Sequence, residues 1–200
     1  MNKLLDINSH IIFFNSLTED LKSILCKYKL NNVIDNGYPF ANYLNSSLLQ
    51  KLNLEQAIQN DIEKLDRLTR IYKTSNSITL FRGCETSQID SHISGDILNY
   101  PAYMSTSLSK ENISKFVGTG SDGILLCISI PKGSYVTPMD GMPGETGDEL
   151  EILLPRMLNF QIINSEIIKE KKQIEHHLGV HAYSTSVLRL LSLELISKVA

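Results

Sequence analysis

The chain has 200 residues, 42% of them hydrophobic, which is enough for one globular domain with a real core. A formal net charge of −3 and a pI near 5.9 supply no bulk basic field for nucleic acid or an anionic lipid surface. Three cysteines (Cys26, Cys84 and Cys127) without C-x-x-C spacing argue against a disulfide framework or a zinc knuckle, and no apolar run approaches the roughly 18 residues of a membrane span.

Near the start, Asp6, Asn8, Ser9 and His10 interrupt the apolar stretches and no A-x-A site follows. No secretory signal peptide is therefore predicted, and export is expected by a route that needs none. Thr18 can cap a helix with Glu19 and Asp20 in its first turn and Leu21, Ile24, Leu25 and Tyr28 on one face. Pro39 fits the first turn of a second helix through about residue 50. Asn53 and Gln56 resemble a capping box for a third, running to about residue 72 with Ile58, Ile62, Leu65 and Leu68 inward.

After residue 77 the pattern turns to strand. Residues 77–82 and 102–107 are short β-rich runs, and Ser109 caps a helix to about residue 117. A glycine-bearing loop over 118–123 leads into the apolar strand 124–130, and Pro131-Lys132-Gly133 reads as a turn. Residues 137–148 hold two prolines and three glycines and are predicted to form a long surface loop of functional type. Strands follow at 149–154 and 160–168, and an amphipathic helix is predicted for 186–199 from Leu188, Leu191, Leu195 and Val199. The reading is a single domain over 1–200, with a helical part (1–76), a β-rich catalytic core (77–168) and a helical tail (169–200).

Three short pieces carry chemistry. Arg82, one of five arginines against fourteen lysines, ends the apolar run Ile78-Thr79-Leu80-Phe81 and precedes Gly83. An arginine there suits bidentate phosphate binding beside a glycine that lets another group approach; the structural alternative is an ion pair with Glu149 or Glu151. Ser105-Thr106-Ser107 supplies a row of hydroxyls, although Tyr183-Ser184-Thr185-Ser186 shows how common such runs are; that copy is assigned to capping the final helix. Glu149 and Glu151 lie at i and i+2 of the predicted strand, which places both carboxylates on one face about 7 Å apart. The bland alternative is a solvated edge strand.

Arg, then Ser-Thr-Ser, then Glu-x-Glu in this order resembles the R-S-E class of mono-ADP-ribosyltransferases, most of all the bacterial ADP-ribosylating toxins and effectors. The similarity runs from about residue 38 to 165. Tyr38-Pro39-Phe40-Ala41-Asn42 resembles the Tyr-x-x-x-Asn of the helix lining the family's NAD cleft, and Phe116 falls where these toxins set an aromatic against nicotinamide. Glu149-Leu150-Glu151-Ile152-Leu153-Leu154-Pro155-Arg156 resembles the family's Glu-x-Glu strand with its apolar tail.

The resemblance implies an α+β fold: N-terminal helices packed on a two-sheet, mostly antiparallel β core with an NAD cleft. It implies transfer of ADP-ribose from NAD to a protein side chain, with NAD as co-substrate and no metal. Arg82 and Gly83 are expected at the pyrophosphate, and Ser105 at Glu151 and the nicotinamide ribose. Thr106 and Ser107 support the strand, and Tyr38, Asn42 and Phe116 line the cleft. Glu151 is expected at the ribose 2′-hydroxyl and Glu149 at the incoming nucleophile; Glu at that position goes with an arginine acceptor. The implied partner is a target protein in the cytosol of a host or rival cell, with a chaperone or immunity protein as a further partner. Threonine transfer, NAD hydrolysis and a turnover-less binding module are the alternatives. The loop after Phe116 (Gly118-Thr119-Gly120) lacks an arginine that some relatives use on NAD phosphate, and the 137–148 loop presents Met139, Asp140, Met142 and Glu145 in place of an exposed aromatic. Ala102 stands where actin-modifying relatives carry asparagine.

Three further features read as structural. His176, His177 and His181 have only Glu175 nearby to complete a metal set, and Cys84 has no histidine placed to activate it. Lys169 to Lys172 reads as a solvated strand end.

Overall fold

The computed structural model describes residues 7–34, 37–117, 122–143, 149–179, 182 and 185–196. Four helices come first: α1 (Ile7–Ser16), α2 (Glu19–Leu30), α3 (Phe40–Leu49) and α4 (Gln56–Leu68). The helix α1 was not anticipated. Its polar Asn8, Ser9 and His10 break the apolar pattern, yet His10, Phe13 and Phe14 are buried. Thr18 holds the N-cap position of α2, but its hydroxyl donates to Asp20 Oδ1 instead of capping a backbone N–H. The expected capping box is absent from α4, which is preceded by Glu55 with no side-chain cap and stops at Leu68. Ser109 does cap as expected, its Oγ accepting from the Asn112 N–H at the start of α5 (Lys110–Ile113).

The strands are β1 (Ile78–Glu85), β2 (Ile93–Ser94), β3 (Ile97–Tyr100), β4 (Met104–Ser107), β5 (Asp122–Ile130), β6 (Thr137–Pro138), β7 (Glu151–Leu154), β8 (Leu158–Ile168) and β9 (Val187–Leu195), with α6 (Lys171–Leu178) between the last two. They form one nine-stranded sheet in the order β2-β3-β8-β9-β5-β1-β4-β7-β6, antiparallel except for the β5–β9 pair. The α+β class is as expected, and the two expected sheets prove to be two ends of one. They join through a single register pair between β1 and β4, Phe81 opposite Ser107. Leu80, Leu126, Phe160 and Leu193 from one end share a buried cluster with Met104, Ile152 and Leu154 from the other. The sheet therefore curves around its own core.

A second cluster joins α1–α4 to the opposite face of β4 and β7 through Tyr103 and Leu153. A third seats α5 and α6 on the outer face of β5 and β9 through Ile113, Ile174, Leu178, Leu125 and Leu188. Arg156, just past β7, ties that strand to α4: its Nε and Nη2 donate to Asp66 at 2.9 and 2.8 Å, and Tyr103 Oη donates to the same carboxylate at 2.6 Å.

The C-terminal segment corrects the sequence reading. Of the residues predicted as a helix, 187–195 form the central strand β9, between β5 and β8, and Val199 lies outside the described residues. Both faces of the strand are covered: Leu191, Leu193 and Leu195 enter the main core, and Leu188 and Leu190 meet the α5–α6 layer. Leucines on both sides of a strand produce 3- and 4-residue spacings that imitate a helix stripe. Thr185 accordingly lies buried just before a strand and caps no helix, while Tyr183 and Ser184 lie outside the described residues. Lys171 and Lys172 open α6 instead of ending a strand.

Candidate functional site

A cleft of about 470 Å³ opens between the end of α2, the start of α3 and the strands β1 and β4, within the size range of small-molecule sites. It brings together Arg82, Gly83, Ser105, Thr106, Ser107, Asn42, Phe116, Glu149 and Glu151. Tyr38 stays out of it. Its ring is 61% exposed and stacks on Tyr43, with centroids 6.4 Å apart. Asn42 belongs to the wall, where its Oδ1 accepts from Asn31 Nδ2 at 3.2 Å. Phe116 is exposed at the rim, with the Lys115 ammonium 4.9 Å from its ring centroid.

Alternation along β1 puts Arg82 on the same face as Ile78, Leu80 and Cys84, so its guanidinium emerges from the end of the core. Its Nη1 donates to the Ser105 carbonyl at 2.8 Å and its Nη2 to Gln88 Oε1 at 3.4 Å. Those bonds, and not an ion pair with Glu149 or Glu151, hold it among the described residues. Gly83 points the other way. A Cβ there would lie 2.8 Å from the Ile113 carbonyl and the Val117 nitrogen, so the close approach this glycine permits is that of the α5 segment beneath β1.

The hydroxyl row divides by face. Thr106, on the core side, donates to the Ile152 carbonyl at 2.6 Å. Ser107 donates to the Glu149 carbonyl at 2.6 Å, and Ser105 Oγ donates to Glu151 Oε1, also at 2.6 Å.

The two carboxylates are not placed by strand alternation. The strand β7 begins at Glu151, and Leu150 has a positive φ of 47°, so Glu149 precedes the ladder in a backbone turn rare for a branched residue. What draws both acids together is Lys29, at the C-terminal end of α2. Its Nζ donates to Glu151 Oε2 at 2.5 Å, Asp140 Oδ1 at 2.9 Å and Glu149 Oε2 at 3.3 Å. Glu149 also accepts from Lys115 Nζ at 2.8 Å.

The charge states follow. Burial works against the Lys29 ammonium, but Glu151 and Asp140 outweigh it and hold its pKa above the ordinary lysine range. Burial likewise opposes ionisation of Asp140, and the neighbouring His10 and the Lys29 ammonium prevail and keep it below the usual aspartate value. Lys115 first, then Lys29, lower Glu149. Burial pushes the Cys84 thiol up to about 11, so it is no nucleophile at neutral pH.

Lys29, Asp140, Tyr28 and Asn45 were not anticipated. Tyr28 was read only as core; it does pack there, but it also lines the cleft and its Oη accepts from Asn45 Nδ2 at 2.6 Å. Asp140 was expected on a surface loop, yet Met139, Asp140 and Met142 are all buried, because β6 pairs with β7 and carries them under the helices. Glu145 and the 118–120 glycine loop lie outside the described residues. So does His181; His176 and His177 sit on α6 with ring centroids 5.4 Å apart, and no group of three His, Cys, Asp or Glu side chains placed to hold a metal ion occurs among the described residues. No helix among them is long and apolar enough to cross a membrane.

The chain is 26% identical over 185 residues to "Mono-ADP-ribosyltransferase C3" of Clostridium botulinum D phage, covering 80% of this chain and 64% of that relative's length. Its fold resembles Plx2a, an ADP-ribosyltransferase toxin from Paenibacillus larvae, at a TM-score of 0.61 and 22% identity over 96% of this chain and 93% of that one. It also resembles C3stau2 from S. aureus, solved with NAD, at a TM-score of 0.64 and 17% identity over 96% and 93% of the two chains. The model of the ADP-ribosyltransferase exoenzyme family matches residues 14–181, and the chain belongs to that family.

Proposed function

We propose that this protein transfers ADP-ribose from NAD to a side chain of a target protein, with arginine as the acceptor, and releases nicotinamide. The observation that carries the reading is the Ser105–Glu151–Glu149 constellation facing Arg82 across one cleft. NAD lies with its pyrophosphate at Arg82 and its nicotinamide ribose at Ser105 and Glu151, with Phe116 at the rim beside the nicotinamide. The bond from C1′ of that ribose to the nicotinamide nitrogen breaks, its electron pair leaving with nicotinamide. Positive charge develops on the sugar, as at a glycosidic carbon, and the Glu151 carboxylate stabilises it. A nitrogen of the acceptor then forms the new bond to C1′, and Glu149 takes the proton it sheds. A guanidinium is protonated and carries no free lone pair, so it needs a carboxylate to orient it and accept that proton. Glu149 at the mouth of the cleft, 37% exposed, suits that task better than the more enclosed Glu151 at 15%.

No step uses a metal. The partner is a protein in the cytosol of a target cell. Labelling a eukaryotic lysate with biotinylated NAD, comparing wild type with Glu151→Ala, tests the proposal. A discrete band lost in the variant supports transfer. Nicotinamide release without a band redirects the reading to NAD hydrolysis, and silence in both redirects it to a binding module.

A further inference from the structure

Lys29 is a buried cation inside the candidate site with no part in the chemistry just described. Its side chain is 9% exposed, and its three N–H groups meet three carboxylates. The contacts close a ring around Glu151. Lys29 holds Oε2, Ser105 holds Oε1, and Asp140, held in turn by Lys29, accepts the Glu151 backbone N–H at 2.8 Å. Asp140 is itself fixed from α1, where His10 Nδ1 accepts its backbone N–H at 3.3 Å. Lys29 also lies at the C-terminal end of α2, where the helix dipole favours a cation. Held protonated by these partners, the amine is neither a base nor a nucleophile.

We propose that Lys29 is a positioning residue that fixes the Glu151 carboxylate from the side opposite Ser105. The proposal rests on the transferase reading above. Glu151 must meet a ribose with one oxygen while the carboxylate stays ionised and unable to rotate. Ser105 alone restrains one oxygen; the ammonium restrains the other. The other ionisable groups around this ring are His10 on Asp140, Lys115 on Glu149, and Tyr28 beside Glu151.

The test is steady-state NAD hydrolysis by wild type, Lys29→Gln and Lys29→Arg. Misplacement of a reacting group by about 1 Å can cost about 10²-fold. Lys29→Gln is therefore expected to lower kcat about 10²-fold, with KM for NAD within about threefold of wild type. Lys29→Arg, which keeps the charge and the N–H donors, recovers part of kcat. An unchanged or raised kcat, a loss carried by KM, or no recovery in Lys29→Arg overturns the proposal. If Lys29→Gln fails to fold because Asp140 is left buried and unpaired, Lys29→Met combined with Asp140→Asn removes that charge, and the same criteria apply. Absence of NAD turnover in the wild type overturns the transferase reading and this proposal with it; active wild type with unaffected Lys29 variants overturns this proposal alone.

Discussion

Ser105 and Glu151 meet on a diagonal. In the β4–β7 ladder Ser105 stands opposite Leu153 and Glu151 opposite Ser107, so the hydroxyl and carboxylate are two residues out of register on one face. They still close to 2.6 Å, a span that diagonal neighbours on a sheet can bridge. The two ends of the constellation are therefore held by the same ladder that builds the core.

Removing that hydroxyl tests the diagonal. A hydrogen bond to a charged group contributes about 1.5–3 kcal/mol, so Ser105→Ala is expected to lower kcat for NAD cleavage by about 10- to 100-fold. The strand itself stays intact, since the backbone pairing is untouched. Nicotinamide release at saturating NAD, with circular dichroism as the fold control, gives the answer.

Glu149 precedes the ladder and is braced by Lys29 and Lys115. Glu149→Gln keeps the shape and removes the proton acceptor. Transfer to an arginine acceptor is expected to fall below detection while much of the NAD hydrolysis survives. Equal loss of both activities would show that Glu149 serves bond cleavage itself.

Gly83 has little room for a side chain. Two of the three atoms 2.8 Å from an added Cβ are backbone, so they cannot swing aside as a flexible side chain would. Overpacking of this kind costs about 1–3 kcal/mol, and for a chain of this size each kcal/mol lowers Tm by about 2–4 °C. Calorimetry of Gly83→Ala should show a drop in that range. An unchanged Tm would mean that the α5 segment shifts freely.

Asp140 predicts the acid limb of stability. Its carboxyl titrates lower in the folded chain than the unfolded value of about 3.9, so its contribution is fully present above that value and is lost as pH falls through the lower folded one. Urea unfolding of wild type and Asp140→Asn from pH 7 to pH 2 should show a stability gap that is widest near neutrality and narrows below about pH 4. A gap independent of pH would place the effect in packing. Lys29 has the opposite sign: its raised pKa keeps its contribution intact through neutral pH and forfeits it only in strong alkali.

Much of this was legible in the residues. Helices α2, α3 and α4 follow from apolar spacing at 3 and 4, and β1, β4 and β5 from short β-rich runs between turns. Arg82 and the Glu149–Glu151 pair stood out because each places charge at the end of an apolar strand, where it is costly without a purpose, and Ser105 gained weight only from its order between them.

Other features were settled only in three dimensions. Lys29 follows Tyr28 at the end of an amphipathic helix, and no local pattern separates it from a solvated lysine; its role arises when β7 and the residues after β6 bring three carboxylates to it. Asp140 is buried because β6 pairs with β7, a partnership set by chain topology and invisible in a loop-like composition. The last strand was mistaken for a helix because coverage on both faces erases the alternation that marks a strand. Periodicity reports one exposed face and one buried face, so sequence alone determined the elements that have both and the polar groups that interrupt them. Tertiary structure decided the last strand, whose two covered faces imitate a helix stripe, and every charge whose partners lie far along the chain.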